Sequence, residues 1–180
     1  MKTRLLIAIV TLQILWILGT IGAQEFKHRH GTLVHLRAYP VDPRDLLRGD
    51  YLVLRYDVSQ LNETLFDPPL TQALTPGTPV SVVLELREGI HQAVRASTAP
   101  LNGQDGQIIL RGIAAPGLSP GNTAVTYGLE RFYVREGTGN PHGTLTAEVA
   151  VPQRGSAALK DLLLNGVPYA EAMKHVKIQH

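Results

Sequence analysis

One stretch, from Pro40 to Asp57, constrains the fold of this chain more than any other, because it joins a turn to a strand. In its first part, Pro43 fixes φ and the neighbouring aspartates can bond backbone N–H groups, which is typical of turns. Gly49 follows and can take the positive φ that a tight bend requires. From Tyr51 onward, side chains alternate between the two faces of a predicted strand. Those predicted to face the core are Leu52, Leu54 and Tyr56, and those predicted to face away are Tyr51, Val53, Arg55 and Asp57.

The rest of the chain also alternates in short segments, separated by turns that use many of its 17 glycines and 12 prolines. About seven strands are predicted, at residues 32–39, 49–61, 80–86, 92–97, 107–113, 123–134 and 144–151. No crossover helix separates them, so we expect a mainly β fold, an antiparallel barrel or sandwich with one or two short helices. Ser156 is predicted to cap a helix over residues 157–164, which Asn165-Gly166 ends. Residues 169–174 fit a second helix or a last strand.

An apolar run, Leu5–Ala23, precedes these strands and follows two basic residues. A membrane-spanning helix needs about 20 apolar residues, whereas a signal-peptide core has roughly 7–15. We therefore expect residues 1–24 to form an N-terminal transmembrane helix that acts as an anchor, with a cleaved signal peptide as the alternative. The basic residues predict a cytoplasmic N-terminus. Residues 25–31 are then a polar spacer, and residues 32–180 a β-rich domain on the far side of the membrane.

Composition and missing motifs exclude several classes of function. The 17 basic and 15 acidic residues nearly balance, which argues against binding to nucleic acid. The absence of cysteine excludes disulfides, thiolate metal sites and a cysteine nucleophile. The seven histidines form no HExxH motif, so no metal site is predicted. The chain also lacks a phosphate loop, a GxSxG elbow and a dinucleotide fingerprint, so no cofactor and no catalytic residue is predicted.

Two separated blocks of the sequence carry a family resemblance. Gly49-Asp50-Tyr51, with Leu54 and Tyr56, spells Gly-Asp-Tyr-x-x-Leu-x-Tyr and resembles the motif of the bacterial GDYXXLXY family. Tyr127 to Gly137 is similar to the second conserved block of that family, although Phe132-Tyr133 reverses the expected order, which would change the ring that faces the core. The resemblance implies a single-pass protein of the bacterial cell membrane. It also implies a polytopic membrane protein as partner, because members are often encoded beside one. The family has no assigned activity, so the resemblance implies little chemistry.

Charged and aromatic residues of the two blocks form the candidate site. In the functional interpretation, they form a surface that binds a ligand or a partner. The residues of this surface are Arg44, Gly49, Asp50, Tyr51, Tyr56, Glu130 and Arg131. A structural interpretation makes the first block an ion-paired turn, in which Asp50 caps backbone N–H groups. Glu130 falls on an otherwise apolar face of its strand, where a carboxylate needs a partner. An arginine of the first block is one candidate for that partner.

Two functions are compatible with this sequence. We expect a membrane-anchored, extracytoplasmic accessory or binding domain without its own catalysis. The alternative is an envelope hydrolase or a small-ligand-binding barrel that uses Asp50 and Glu130 as a carboxylate pair. Two carboxylates about 5–10 Å apart at an open cleft would favour the alternative. Carboxylates enclosed by arginines would favour the binding domain.

Overall fold

An N-terminal helix and two antiparallel sheets make up the computed structural model, which describes residues 2–29, 31–41, 51–101, 107–116, 121–134, 142–153 and 155–175. The helices are α1 (Lys2–Arg29) and α2 (Tyr169–Ala172). The strands are β1 (Thr32–Pro40), β2 (Tyr51–Tyr56), β3 (Gln60–Asn62), β4 (Pro79–Arg87), β5 (Ile90–Ser97), β6 (Ile108–Ala115), β7 (Asn122–Thr126), β8 (Arg131–Tyr133), β9 (Leu145–Val151), β10 (Ala158–Leu164) and β11 (Val167–Pro168). Short 3₁₀ turns occupy Asp57–Ser59, Glu63–Leu65 and Met173–His175.

The strands pair in two sheets, in the order β11-β10-β9-β1-β2-β8 for one and β3-β7-β6-β4-β5 for the other. Neighbouring strands within each sheet all pair in antiparallel fashion, which confirms the prediction of a mainly β, antiparallel fold. The edge strands β11, β8 and β3 are only two or three residues long. The fourth edge, β5, is longer, but Phe66 bridges to it at Ala96.

Two of the predicted strands pass from one sheet to the other, so the prediction of about seven strands was too low for the described residues. The segment 49–61 contains β2 and β3, separated by the turn Asp57–Ser59. The segment 123–134 likewise contains β7 and β8, separated by residues 127–130. The first half of each segment pairs with the second half of the other, so β2 pairs with β8 and β7 pairs with β3. We call residues 57–59 and 127–130 the corner, because both strands change sheet there.

The predicted helix over residues 157–164 is wrong, because the structure has strand β10 there. β10 pairs with β9 on one side and with β11 on the other. The Asn165-Gly166 pair is the turn of that second hairpin, with positive φ at both residues. Asn-Gly with positive φ is typical of a two-residue hairpin turn as well as of a helix end. The short helix of this region is α2, which falls within the segment for which helix and strand were both predicted.

The inner faces of the two sheets enclose one hydrophobic core. In β2, burial alternates residue by residue, as predicted, and Leu52, Leu54 and Tyr56 are each 1% exposed. The opposite sheet contributes residues such as Val82 and Leu110 to the same core. Phe132 packs against this core, whereas Tyr133 is 73% exposed, so the reversed order of the two rings places phenylalanine inside.

Helix α1 presents apolar side chains to the outside along its described length. The structure describes its side chains at residues 4, 7 and 9–20, and all of them are exposed. Leu12 and Trp16 are among them, at 69% and 74% exposure. Within the described part of the chain, no helix meets the length and apolarity needed to cross a membrane.

A histidine side chain joins β1 to β5, which belong to different sheets. The His35 backbone N–H donates to Nδ1 of His91 over 3.1 Å, and the His35 ring lies 3.2 Å from a Glu148 carboxylate oxygen. His91 is only 7% exposed, and burial is the largest of the causes that together lower its pKa. Since Nδ1 must be unprotonated to accept the hydrogen bond, the contact between the sheets requires a neutral His91.

We expect the free energy of unfolding to fall as the pH drops below about 6.5, the usual histidine pKa. The unfolded chain takes up a proton there before the folded chain does, which favours unfolding in acid. Urea unfolding of the full chain in detergent between pH 8 and pH 5 measures this. His91→Gln is the control, because it retains an acceptor that does not titrate. Identical pH profiles for the two proteins would show that His91 does not link folding to pH.

Candidate functional site

Two buried tyrosines hold the corner together by reciprocal hydrogen bonds. The Tyr56 hydroxyl, from β2, donates to the carbonyl of Leu129 over 2.5 Å. The Tyr127 hydroxyl, from the residue that follows β7, donates to the carbonyl of Val58 over 2.5 Å. Each tyrosine therefore satisfies a carbonyl at the point where the other strand leaves its sheet. A buried carbonyl without a partner costs free energy, so these bonds stabilise the change of sheet.

Glu130 holds one of the two turns at the corner. Its carboxylate accepts a hydrogen bond from the Tyr127 backbone N–H over 2.6 Å, and Gly128, between them, has a φ of 75°. The opposite turn has a similar bond, since the Tyr56 N–H donates to the Ser59 hydroxyl over 3.2 Å. The need of Glu130 for a partner, expected from its apolar face, is thus met by the backbone. No ion pair joins Glu130 to an arginine among the residues that the structure describes.

The environment of the two tyrosines keeps them uncharged. Burial raises the pKa of the Tyr56 and Tyr127 hydroxyls well above the usual tyrosine value, and the charge of Glu130 raises both further. Gly112 lies on β6 directly beneath the Tyr127 ring, where a Cβ atom would come within 2.8 Å of a ring carbon and 2.6 Å of the Thr126 carbonyl oxygen. The close packing of Tyr127 on β6 therefore requires a glycine at position 112.

The opposite face of the same strands carries a group of exposed tyrosines and arginines. We call it the outer aromatic face, and it consists of Tyr39, Tyr51, Val53, Arg55, Arg131 and Tyr133. Tyr51 and Tyr133 are paired across β2 and β8, and their rings meet edge to face at 6.1 Å between centroids. The Arg131 guanidinium lies over the Tyr51 ring, 5.6 Å from its centroid. These contacts order the surface side chains without burying them.

A cleft of about 220 Å³ opens where the outer aromatic face meets the corner. Val53 and Arg55 of β2, Ala124 and Thr126 of β7, and Glu130 are among the residues that line it. The cleft therefore has one acidic and one basic residue, Glu130 and Arg55, among lining residues that are mostly apolar or uncharged. It is smaller than the roughly 300–1,000 Å³ of most small-molecule sites.

The structure separates the predicted site residues into groups. Tyr51 and Arg131 lie on the outer aromatic face, whereas Tyr56 is buried in the core and Glu130 borders the cleft. The remaining three, Arg44, Gly49 and Asp50, lie outside the described residues, so the separation of Asp50 from Glu130 is not defined.

The sequence patterns did not identify several residues of the site. Tyr39 and Tyr133 belong to the outer aromatic face, and the only sequence signal for them was alternation within single strands. Their proximity depends on the pairing of β1 with β2 and of β2 with β8. The histidines were considered as metal ligands, but among the described residues no group of three histidine, aspartate or glutamate side chains is placed to hold a metal ion.

Comparison with known proteins identifies one family. The model of the family described as GDYXXLXY protein matches residues 13–162. The match covers α1 from its middle and all of β1 to β9, so it includes both blocks that meet at the corner. No curated protein and no solved structure matches the chain.

Removal of either buried hydroxyl at the corner is expected to destabilise the fold. Tyr56→Phe and Tyr127→Phe should each lower the free energy of unfolding by about 1–3 kcal/mol, because each leaves a buried carbonyl without its donor. Tyr133→Phe is the control and should change it by less than about 0.5 kcal/mol, since that hydroxyl is exposed. Denaturant unfolding in detergent measures all three. Equal effects at positions 56, 127 and 133 would contradict the role of the reciprocal bonds.

At Glu130 the acceptor oxygen, rather than the charge, is expected to matter for stability. Glu130→Gln keeps an oxygen that can accept from the Tyr127 N–H, so it should cost under about 1 kcal/mol. Glu130→Ala removes the acceptor and should cost about 1.5–3 kcal/mol. The same unfolding measurement separates the two variants. If glutamine costs as much as alanine, the charge itself stabilises the corner and an ion pair must be sought.

Proposed function

The chain belongs to the GDYXXLXY family, and we propose that it is a membrane-anchored, extracytoplasmic domain that binds a membrane protein. The observation that carries this proposal is the outer aromatic face. It presents tyrosines and arginines on the strands that bear the two family blocks. Tyrosine and arginine are enriched where proteins bind each other, because both offer a large contact area together with polar groups.

The proposed anchor is helix α1. Over the whole sequence, the apolar run Leu5–Ala23 has 19 residues and would extend about 28 Å as a helix, close to the roughly 30 Å of a bilayer core. The run includes residues 5, 6, 8 and 21–23, whose side chains are outside the described set. An exposed helix that is apolar on every side needs a surrounding apolar phase, and a bilayer provides one. Lys2 and Arg4 favour a cytoplasmic N-terminus.

The proposed contact surface differs in part from the residues singled out in the sequence. Tyr51 and Arg131 are kept, and Tyr39, Arg55 and Tyr133 are added to them. Tyr56 and Glu130 act behind this surface, where they hold the corner that positions it. We propose that Glu130 acts through its hydrogen bond from the Tyr127 N–H, and no ion pair with an arginine competes for it among the described residues.

A second function, small-ligand binding or hydrolysis, is favoured by the cleft beside Glu130. A small polar molecule could place a cationic group on the carboxylate and an anionic group on Arg55. Hydrolysis would require Asp50 as the second carboxylate. The volume of the cleft and the engagement of one Glu130 oxygen by the Tyr127 N–H make this the weaker proposal.

Co-purification of the full-length protein from native membranes tests the proposed function. We expect a membrane protein to accompany the wild type, and the variants Arg131→Ala and Tyr133→Ala to bind it roughly thirtyfold more weakly, since a hot-spot residue contributes about 2 kcal/mol. Leu86→Ala is the matched control, because Leu86 is 60% exposed on β4, in the other sheet.

The same experiment separates the two functions. Loss of the companion protein in the face variants alone supports the binding domain. If the face variants retain the companion protein as the wild type does, the outer aromatic face is not the contact surface and the cleft beside Glu130 becomes the candidate site. A wild type that co-purifies with no membrane protein would overturn the proposed binding function.

A further inference from the structure

The outer aromatic face lies at the end of β1 that is far from the anchor. Only residues 30 and 31 separate the end of α1 at Arg29 from the start of β1 at Thr32. β1 then runs for nine residues, about 26 Å between its ends at roughly 3.3 Å per residue. Tyr39 is the last residue but one of this strand. If α1 is the anchor, the domain begins close to the membrane, and Tyr39 lies at the opposite end of β1. We take β1 to run away from the bilayer.

The rest of the face lies still further along the same direction. Leu54 pairs with Pro40, and β2 runs antiparallel to β1, so Tyr51 projects three residues beyond the end of β1. Three residues add about 10 Å. Tyr133 is level with Tyr51, to which it is paired. With β1 directed away from the bilayer, the face spans roughly 23–36 Å from the start of β1.

This distance favours a protein over the lipid surface as the occupant of the face. The headgroup layer adds only about 5–8 Å to each side of the bilayer core. The potential of anionic lipids is screened over a Debye length of about 8 Å at physiological ionic strength. With β1 directed away from the bilayer, the arginines of the face are beyond the reach of the headgroups and of their charge.

The charges on and beside the face specify the chemistry of its partner. Arg55 and Arg131 belong to the face, and Arg37 is exposed on β1 two residues before Tyr39. Among the described residues, two carboxylates border the face, that of Asp57, which interacts with the Tyr39 side chain, and that of Glu130, which lines the cleft together with Arg55. Complementary charge steers partners towards each other and excludes those of like charge. Such a surface fits a segment that combines carboxylates with apolar or aromatic side chains.

We propose that the outer aromatic face binds an acidic segment of the partner that lies outside the bilayer, at roughly the height of Tyr39 to Tyr133 above it. This inference rests on the proposed function and adds the chemistry and position of the bound segment. It excludes contact through the membrane-spanning helices of the partner. The guanidinium groups of Arg55 and Arg131 would pair with carboxylates of the partner, and the Tyr51 and Tyr133 rings would contact its apolar side chains.

Site-specific photo-crosslinking in intact membranes tests this inference. A benzoylphenylalanine replaces Tyr133 in one protein and Leu33 in another, since both positions are exposed on the same side of the sheet and Leu33 lies at the anchor end of β1. Mass spectrometry then locates the crosslinked peptide. We expect position 133 to react with an acidic peptide outside the membrane-spanning segments of the partner, and position 33 not to react with it.

The yield of the crosslink at position 133 also tests the role of the charge on Arg131. Arg131→Glu should reduce the yield at position 133 at least about tenfold, Arg131→Lys much less, and raising the salt concentration should reduce the wild-type yield. A lipid adduct at position 133, a second copy of this chain, or a peptide from a membrane-spanning segment would overturn the inference and leave partner binding in place. No adduct at position 133, together with no co-purifying protein, would overturn both proposals.

Discussion

The reciprocal hydrogen bonds of Tyr56 and Tyr127 are the interaction on which the rest of the domain depends. Two strands leave one sheet and enter the other at the same place, and each would leave backbone groups without partners in a buried region. The two hydroxyls satisfy one carbonyl on each strand. Glu130 and Ser59 satisfy an N–H group on each strand. The corner thus closes the core with side chains where the ladder of backbone bonds is interrupted.

The corner also connects the interior of the domain to its proposed binding surface. In β2, alternation places Tyr56 inside and Tyr51 outside, so a single strand contributes to both. The pairing of β2 with β8 brings Arg131 and Tyr133 beside Tyr51. Because the corner fixes where β8 begins, it fixes the position of Arg131 over the Tyr51 ring. The family motif therefore describes one structural unit with a buried side and an exposed side.

The sequence was sufficient for the local structure and insufficient for the pairing of distant segments. Alternation identified the buried side of β2 and the strand character of β1, because period two is a property of one segment. The breaks at Asp57–Ser59 and at residues 127–130 were not predicted, since the hydroxyl bonds that stabilise them join residues 69 and 73 positions apart. Asn165-Gly166 was misinterpreted as a helix end because the same two residues fit a hairpin turn. The pairing of β10 with β9 makes residues 158–164 a strand, so Asn165-Gly166 is a hairpin turn and not a helix end.

The short edge strands of the two sheets affect what happens when copies of this domain meet each other. Strands β11, β8 and β3 expose few free backbone groups, and β5 is bridged by Phe66 and contacted through His91. Long open edges allow sheets of different molecules to join and aggregate. A domain tethered to a bilayer diffuses in two dimensions and meets its copies far more often than one in free solution. If the proposed anchor holds this domain at a membrane, its short edges let many copies share that membrane without polymerising through their sheets.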